Sequence, residues 1–413
     1  MTEYRKSYYE WLGDIPVHWE EPFIQQVSRY QKNMNYGNKE NVVLSLSYGN
    51  IIRKMNVDFG LVSSDLSTYQ IVDADNIIMR LTDLQNDHKS LRTGIVRERG
   101  IISPAYVCLV PSGIVNPRYL HYVLHTYDER KIFYSMGGGV RQSIGWDDIR
   151  HMRIPLPPKH EQNRIASCLD AKVSALDRLS ELTRRQAGLL AEYREAYLNE
   201  TLAQYPVQES IRMKYLGQFR KGGGFSRANL MDDGEPAILY GDIYTQYRYT
   251  TDTITHRIDA EAYAKAPKIE AGDIVMTGTG ETKNEIGKPI LYTGDGRPAV
   301  GGDAVIFHNT SRISSKYILY SLYGKDALYH RYINGRGDII VHISSYALGN
   351  QTINILKPED EAEAVREIEK KFTAIDKMTE LTRKKISLLK EYRTRLIYDA
   401  VTEHIEELSR DAG

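Results

Sequence analysis

The sequence predicts a mixed α/β fold in which two similar globular units are separated by two long antiparallel coiled-coil helices. Three observations predict it. The stretch Asp177 to Arg194 realigns without gaps on Asp376 to Arg393, with ten of eighteen positions identical. Both copies lack proline and space their apolar residues alternately three and four apart, the period of a helix seam. Outside them lie short apolar runs bounded by glycine-rich turns, the pattern of strands.

Taken in chain order, residues 1–158 form the first globular unit, with strand-like runs at Ile77 to Met79 and Tyr106 to Val110. Ile154-Pro155-Leu156-Pro157-Pro158 then marks the entrance to a helix over 159–204, because proline favours an extended residue before it and a helix after it. Its seam runs through Ala166, Leu169, Val173, Leu176, Leu179, Thr183, Ala187, Leu190 and Tyr197. Tyr205-Pro206 ends it. The second globular unit, 205–357, carries runs at Ile274 to Met276 and Ala304 to Phe307. Lys357-Pro358 opens the last segment, 358–413, a helix to about residue 406 followed by a tail. Its seam uses Val365, Ile368, Phe372, Ile375, Met378 or Thr379, Thr382, Ile386, Leu389 and Leu396.

The globular units echo each other more faintly than the helices do. Ser47-Tyr48-Gly49-Asn50-Ile51 parallels Leu239-Tyr240-Gly241-Asp242-Ile243, and Asp75-Asn76-Ile77-Ile78-Met79 parallels Gly272-Asp273-Ile274-Val275-Met276. Arg118-Tyr119-Leu120-His121-Tyr122 likewise parallels Lys316-Tyr317-Ile318-Leu319-Tyr320. The chain is a tandem duplication whose helices stayed alike while its heads diverged.

Composition bounds the function. A length of 413 residues with 41% hydrophobic and 26% charged residues suits a globular protein of several domains. No run approaches the ~18 apolar residues of a membrane span, so a cytoplasmic location is expected. Cys108 and Cys168 stand apart without a CxxC pair, which supports neither a disulfide framework nor a zinc site. Lys plus Arg balance Asp plus Glu at 54 each, so a nucleic-acid surface would have to be a local cluster of basic groups. Tyrosine is abundant, 30 against 7 Phe, and offers stacking area with a hydroxyl for a phosphate or base edge.

Two heads joined by paired helices form a caliper. At 1.5 Å per residue, about 45 helical residues span on the order of 65 Å. Twofold-related readers held at a fixed separation suit a split DNA site, and diverged heads suit two unlike half-sites.

Gly137-Gly138-Gly139-Val140-Arg141-Gln142-Ser143-Ile144-Gly145-Trp146-Asp147-Asp148, then Ile154 to Pro158 and Glu161-Gln162-Asn163-Arg164-Ile165-Ala166, resembles the junction between target-recognition domain and conserved helix in Type I restriction-modification specificity subunits. Glu10-Trp11-Leu12-Gly13-Asp14-Ile15-Pro16-Val17-His18-Trp19-Glu20 is similar to that family's opening segment, and Gly272 to Val275 with Gly287-Lys288-Pro289 to its domain core. The likeness covers nearly the whole chain. It departs at Lys357-Pro358-Glu359-Asp360, a weakened Pro-Pro and Glu-Gln pattern, and at Ser344 to Asn350, which lacks Trp-Asp-Asp.

The resemblance implies a non-catalytic subunit that binds double-stranded DNA and recruits two modification subunits, adenine methyltransferases, together with restriction subunits for translocation and cleavage. S-adenosylmethionine, ATP and magnesium would belong to those partners, and this chain would hold no cofactor. The sequence has no Asn/Asp-Pro-Pro-Tyr/Phe motif, and Gly278-Thr279-Gly280 with Gly287-Lys288-Pro289 fails as a phosphate-binding loop because Pro289 stands where Ser or Thr is needed. That stretch reads instead as a glycine-rich loop able to approach a DNA backbone. The rival readings are a protein scaffold and a stand-alone nuclease; no carboxylate-lysine cluster supports the latter.

Base readout needs Arg, Lys, Asn and Gln on projecting loops, with glycine where backbones come close. The first head offers Tyr48, Asn50, Arg141, Gln142 and Ser143. The second offers Lys221 before Gly222 to Gly224, with Tyr240, Thr279, Lys283 and Arg336.

Overall fold

The computed structural model describes residues 3–54, 65–87, 90–136 and 143–402. Four helices frame it: α1 (Pro117–Glu129), α2 (Lys159–Gln204), α3 (Ser315–Tyr323) and α4 (Pro358–Thr402). Contacts divide the chain into two compact units, one of Met1–Arg184 with Lys384–Gly413, the other of Arg185–Arg383. Each unit therefore takes a globular head plus one segment from each long helix. No helix among the described residues is long and apolar enough to cross a membrane.

Unit 1 contains β1 (Ser28–Gln31), β2 (Leu44–Ser47), β3 (Asn50–Arg53), β4 (Ile77–Met79), β5 (Thr93–Ile95) and β6 (Val107–Pro111). Four of them form an antiparallel sheet in the order β1-β6-β4-β5, while β2 and β3 make a separate hairpin. All of β4 is buried because the sheet is covered on both faces. Successive strand residues face opposite sides: Ile77 and Met79 join the core beneath α1, and Ile78 joins Leu44, Val72, Ile102 and Cys108 on the other side. Asn116 caps α1, its side-chain oxygen accepting from Arg118 N at 2.9 Å, with Pro117 at the first helical position.

Unit 2 contains β7 (Gly217–Lys221), β8 (Thr250–Thr251), β9 (Ile274–Thr277), β10 (Pro289–Tyr292) and β11 (Ala304–Asn309). Its sheet runs β7-β11-β9-β10-β8, the order of unit 1 with one parallel edge strand added. Ile274 and Met276 face the core beneath α3, and Val275 faces Ile238, Ile243 and Val300. The duplication seen in the helices therefore extends to the sheets.

Individual contacts repeat as well. In unit 1, Gln162 Oε1 accepts from Asn116 N at 2.7 Å, Arg118 pairs with Asp170, and the Tyr119 hydroxyl donates to Pro155 O at 2.9 Å. At the matching positions of unit 2, Glu361 Oε1 accepts from Ser314 N at 2.6 Å, Lys316 pairs with Glu369 at 2.6 Å, and the Tyr317 hydroxyl donates to Asn354 O at 2.7 Å. The second junction keeps this geometry without Trp-Asp-Asp. The turn Ser345–Gly349 is capped by Ser344, as Trp146–Ile149 is capped through Asp148.

Within each unit the long-helix segments run antiparallel. Leu169 and Val173 of α2 share a core with Leu396, Ile397, Ala400 and Val401 of α4 in unit 1. In unit 2, Leu190 and Leu198 share one with Ala364, Ile368, Phe372 and Ile375. An ion pair closes each packing: Arg393 Nε to Asp177 at 2.9 Å in unit 1, and Arg194 to Asp376 in unit 2. These are the same pair with the repeats exchanged, because Asp177 aligns with Asp376 and Arg194 with Arg393.

Two expectations need correction. The expected seam runs through Leu179 and through Met378 or Thr379, but Leu179 and Met378 are 38% and 47% exposed, while Thr379 is half-buried. Thr183 and Thr382 are buried one turn on, their hydroxyls donating to the carbonyls of Leu179 and Met378 at 2.7 Å, which satisfies them without a polar partner across the seam. The Tyr48 and Tyr240 segments also differ. Tyr48 and Gly49 both have positive φ, 46° and 82°, and make the tight turn of the β2–β3 hairpin. Tyr240–Thr245 is a short helix instead, because the Asp242 carboxylate accepts from Leu239 N at 2.8 Å and caps its start.

Candidate nucleic-acid interface

In unit 1 the hairpin turn projects Tyr48, which is 71% exposed, with exposed Asn50 beside it. Gly49 is required there, since its φ is left-handed and a Cβ would lie 3.1 Å from Leu91 Cδ1. Ser143 is exposed; Arg141 and Gln142 lie outside the described residues. In unit 2, Lys221 is exposed at the end of β7, Tyr240 is exposed at the first turn of its helix, and Lys283 and Arg336 are exposed on loops. None of Lys221, Lys283 and Arg336 enters a salt bridge among the described residues, so their charge is available to an anion.

Thr279 is placed differently. It is buried, and its hydroxyl bonds His342 Nδ1 at 3.0 Å. The same His342 exchanges backbone hydrogen bonds with Arg336 at 2.8 and 2.9 Å, so Thr279 fixes the base of the loop that presents Arg336. The glycines nearby do not open a path to a DNA backbone. A Cβ at Gly280 would meet the Tyr244 hydroxyl at 2.5 Å, and one at Gly287 would meet Arg331 Cδ at 2.4 Å. Close approach here is to the protein's own interior. Lys288 is likewise spent inside: its ammonium donates to Tyr244 O and Tyr247 O at 3.3 Å, and burial pushes its pKa down.

Behind the Tyr48 turn, unit 1 holds a cleft of about 620 Å³ lined by Tyr48, Asn50, Arg118, His121, His125 and Arg393, among others. Sequence reading had singled out only the first two. Burial holds His121 and His125 far below the ordinary imidazole range, at about 4 and about 3, with Arg393 adding to both, so each is neutral at pH 7. Their spacing of four on α1, which puts both rings on one helical face, was the available signal.

The long helices carry a second duplicated feature. Leu182, Leu189 and Tyr193 on α2 are 53%, 52% and 47% exposed, and their repeat equivalents Leu381, Leu388 and Tyr392 on α4 are 58%, 53% and 54% exposed. Each unit thus presents the same exposed apolar residues, Leu182 with Leu388 and Tyr392 in unit 1, Leu381 with Leu189 and Tyr193 in unit 2.

No family model matches the sequence. A Methanocaldococcus jannaschii protein, provisionally named the MjaX specificity subunit of a type I restriction enzyme, is 22% identical over 423 aligned residues that cover 94% of this chain and 93% of that one. Two solved structures share the fold. One, from work on complex assembly and conformational transition of the type I restriction-modification system, has a TM-score of 0.72 at 13% identity and covers 94% of this chain and 99% of its own. The other, the HsdS subunit of Thermoanaerobacter tengcongensis, has a TM-score of 0.53 at 13% identity over 94% of this chain and 98% of its own. In sequence over nearly its whole length, and in fold, the chain resembles the specificity subunits of Type I restriction-modification systems.

Proposed function

We propose that this chain is the DNA sequence-recognition subunit of a Type I restriction-modification complex, non-catalytic in itself, with each unit reading one part of a bipartite asymmetric site. The observation that carries the reading is the contrast inside the duplication. The sheets, the junction contacts and the Asp–Arg pairs repeat, while the projecting segments, a Tyr48 hairpin in one head and a Tyr240 helix in the other, do not. A repeated scaffold with unlike tips is what recognition of two unlike half-sites requires. The lengths of α2 and α4 would set the uncontacted spacer. The duplicated exposed residues around Leu182 and Leu381 favour two copies of one partner, the adenine-methylating modification subunit, with restriction subunits joining that assembly. S-adenosylmethionine, ATP and magnesium then serve the partners' chemistry.

The reading is tested by mapping methylated adenines in the host genome with the gene intact, deleted, and carrying Tyr48→Ala with Asn50→Ala. A two-part motif should vanish on deletion and change in one part only in the double variant. An unchanged methylation map on deletion would overturn the proposal.

A further inference from the structure

The cleft of unit 1 has a counterpart in unit 2 that is already full. In unit 2, Phe372 stands at the position of Val173, Tyr323 at that of His125 and Leu319 at that of His121. Phe372 and Tyr323 pack about Tyr249, with ring centroids 5.1 and 4.5 Å from it. The Arg194 guanidinium lies over two of these rings, 4.5 Å from Phe372 and 5.4 Å from Tyr249. In unit 1 the equivalent guanidinium, Arg393, keeps its Asp177 partner but faces the open cleft instead of an aromatic ring. The smaller Val173 and His125 leave the space that the rings occupy in unit 2.

The histidines set the chemistry of a guest. His125 is 4% exposed, and Arg393, which can only donate, approaches its Nε2 at 3.4 Å. The Glu129 carboxylate stands 3.8 Å from the same Nε2, and Nδ1 has no hydrogen-bond partner among the described residues. His121 Nε2 is likewise buried with no hydrogen-bond partner among the described residues. Two unpartnered imidazole nitrogens, each a donor or an acceptor according to its tautomer, with a guanidinium plane beside them, suit a planar ring whose edge carries both acceptors and donors. A phenylalanine ring would satisfy neither nitrogen. A cleft of this volume lies within the range of small-molecule sites, about 300–1,000 Å³.

We propose that the unit 1 cleft receives a nucleobase, stacked on Arg393 and held at its edge by His121 and His125. The base can come from a free nucleotide or be extruded from DNA lying on the Tyr48 hairpin; the second source rests on the recognition reading above. Arg97, exposed at the rim and in no salt bridge among the described residues, is placed to meet the attached phosphate.

The full chain is titrated with AMP, GMP, CMP and TMP by calorimetry, and in parallel with its DNA site carrying 2-aminopurine at one position at a time. Binding of a monophosphate points to the free source, and a fluorescence rise at one DNA position points to the extruded source. Val173→Phe, which installs the residue that unit 2 uses, should abolish either signal, and Arg393→Lys, which keeps the charge but not the plane, should weaken it at least tenfold. Should Val173→Phe fail to fold, the lysine variant decides. If DNA binds but no monophosphate binds and no position brightens, the cleft proposal falls while the recognition reading stands. If no DNA binds, the recognition reading falls and the monophosphate titration alone decides the cleft. A signal unchanged in both variants would place the base elsewhere and overturn the proposal.

Discussion

Truncating the two equivalent seam residues, Phe372 and Val173, should have very different costs. Phe372 is 5% exposed, its ring centroid lies 5.1 Å from Tyr249 and 5.8 Å from Tyr320, and Arg194 caps it at 4.5 Å. Removing a buried phenylalanine side chain costs about 3–5 kcal/mol, and the lost ring and cation contacts put this one toward the upper end. Val173 is also buried but borders the existing cleft. Its replacement by alanine removes two methyl groups, about 1.6 kcal/mol at ~0.8 per group, and adds little new cavity. The assay is guanidinium unfolding followed by circular dichroism, with tryptophan fluorescence assigning the transition, since Trp11, Trp19 and Trp146 all belong to unit 1. A transition for each unit is expected, so each variant is compared within its own. Phe372→Ala should cost about three times as much as Val173→Ala. A difference under about 1 kcal/mol would refute the idea that unit 2 fills what unit 1 leaves open.

Leu182→Asp or Leu381→Asp, both at exposed positions, should leave the fold intact and reduce the bound modification subunits from two to one, with the double variant binding none; native mass spectrometry reads the count. Acid should weaken unit 1. His125 has its folded pKa depressed to about 3, so the unfolded chain binds the extra proton and stability falls as pH drops from about 6.5 toward 3, by about 1.4 kcal/mol per pH unit. Asp128, raised to about 6 by burial, acts in the opposite sense between about 6 and 3.8. His121, depressed to about 4, adds a loss of the same sense, so His125→Gln should halve the loss between pH 7 and 6 and leave little slope between pH 6 and 5, where Asp128 offsets His121, when unfolding midpoints are compared. Gly217→Ala should destabilise unit 2 by at least about 1–3 kcal/mol, because its Cβ would lie 2.1 Å from His308 O, whereas Gly113→Ala meets nothing within 4 Å and should be neutral in the same thermal melt.

The long helices and buried strands were legible because each is written in one local period: the heptad spacing through Leu169, Val173 and Leu190, and the apolar triplet Ile77 to Met79. The fine choice at Met378 or Thr379 was not, since a threonine that bonds its own helix carbonyl competes for a seam position as well as an apolar residue does. The Tyr48 and Tyr240 segments read alike and fold differently: Ser47 pairs with Asn50 across a hairpin, whereas the Asp242 carboxylate accepts from Leu239 N and starts a helix. The exposed Tyr48, Asn50, Lys221, Lys283 and Arg336 follow from their setting in turns and loops. The burial of Thr279, and of the glycines packed on Tyr244 and Arg331, depends on partners far away in sequence. The cleft was hidden for the same reason: it is defined by what Val173 and His125 fail to fill, and only the comparison with Phe372 and Tyr323 in the folded chain makes that visible.

The composition of unit 1 from Met1–Arg184 and Lys384–Gly413 bears on biosynthesis. When the ribosome has made the first head and its helix segment, the strip of Leu169 and Val173 still lacks Leu396, Ile397, Ala400 and Val401, the residues that cover it. The intervening stretch takes about 10–40 s to translate at roughly 5–20 residues per second. Throughout that interval the nascent first unit carries an uncovered apolar groove and an unpaired Asp177. It is then open to chaperones, or to the helix of a neighbouring nascent chain, whose Arg194 is the same kind of partner as Arg393. Slower translation of the second head should increase such mispairing, and a supply of the 384–402 segment in trans should reduce it.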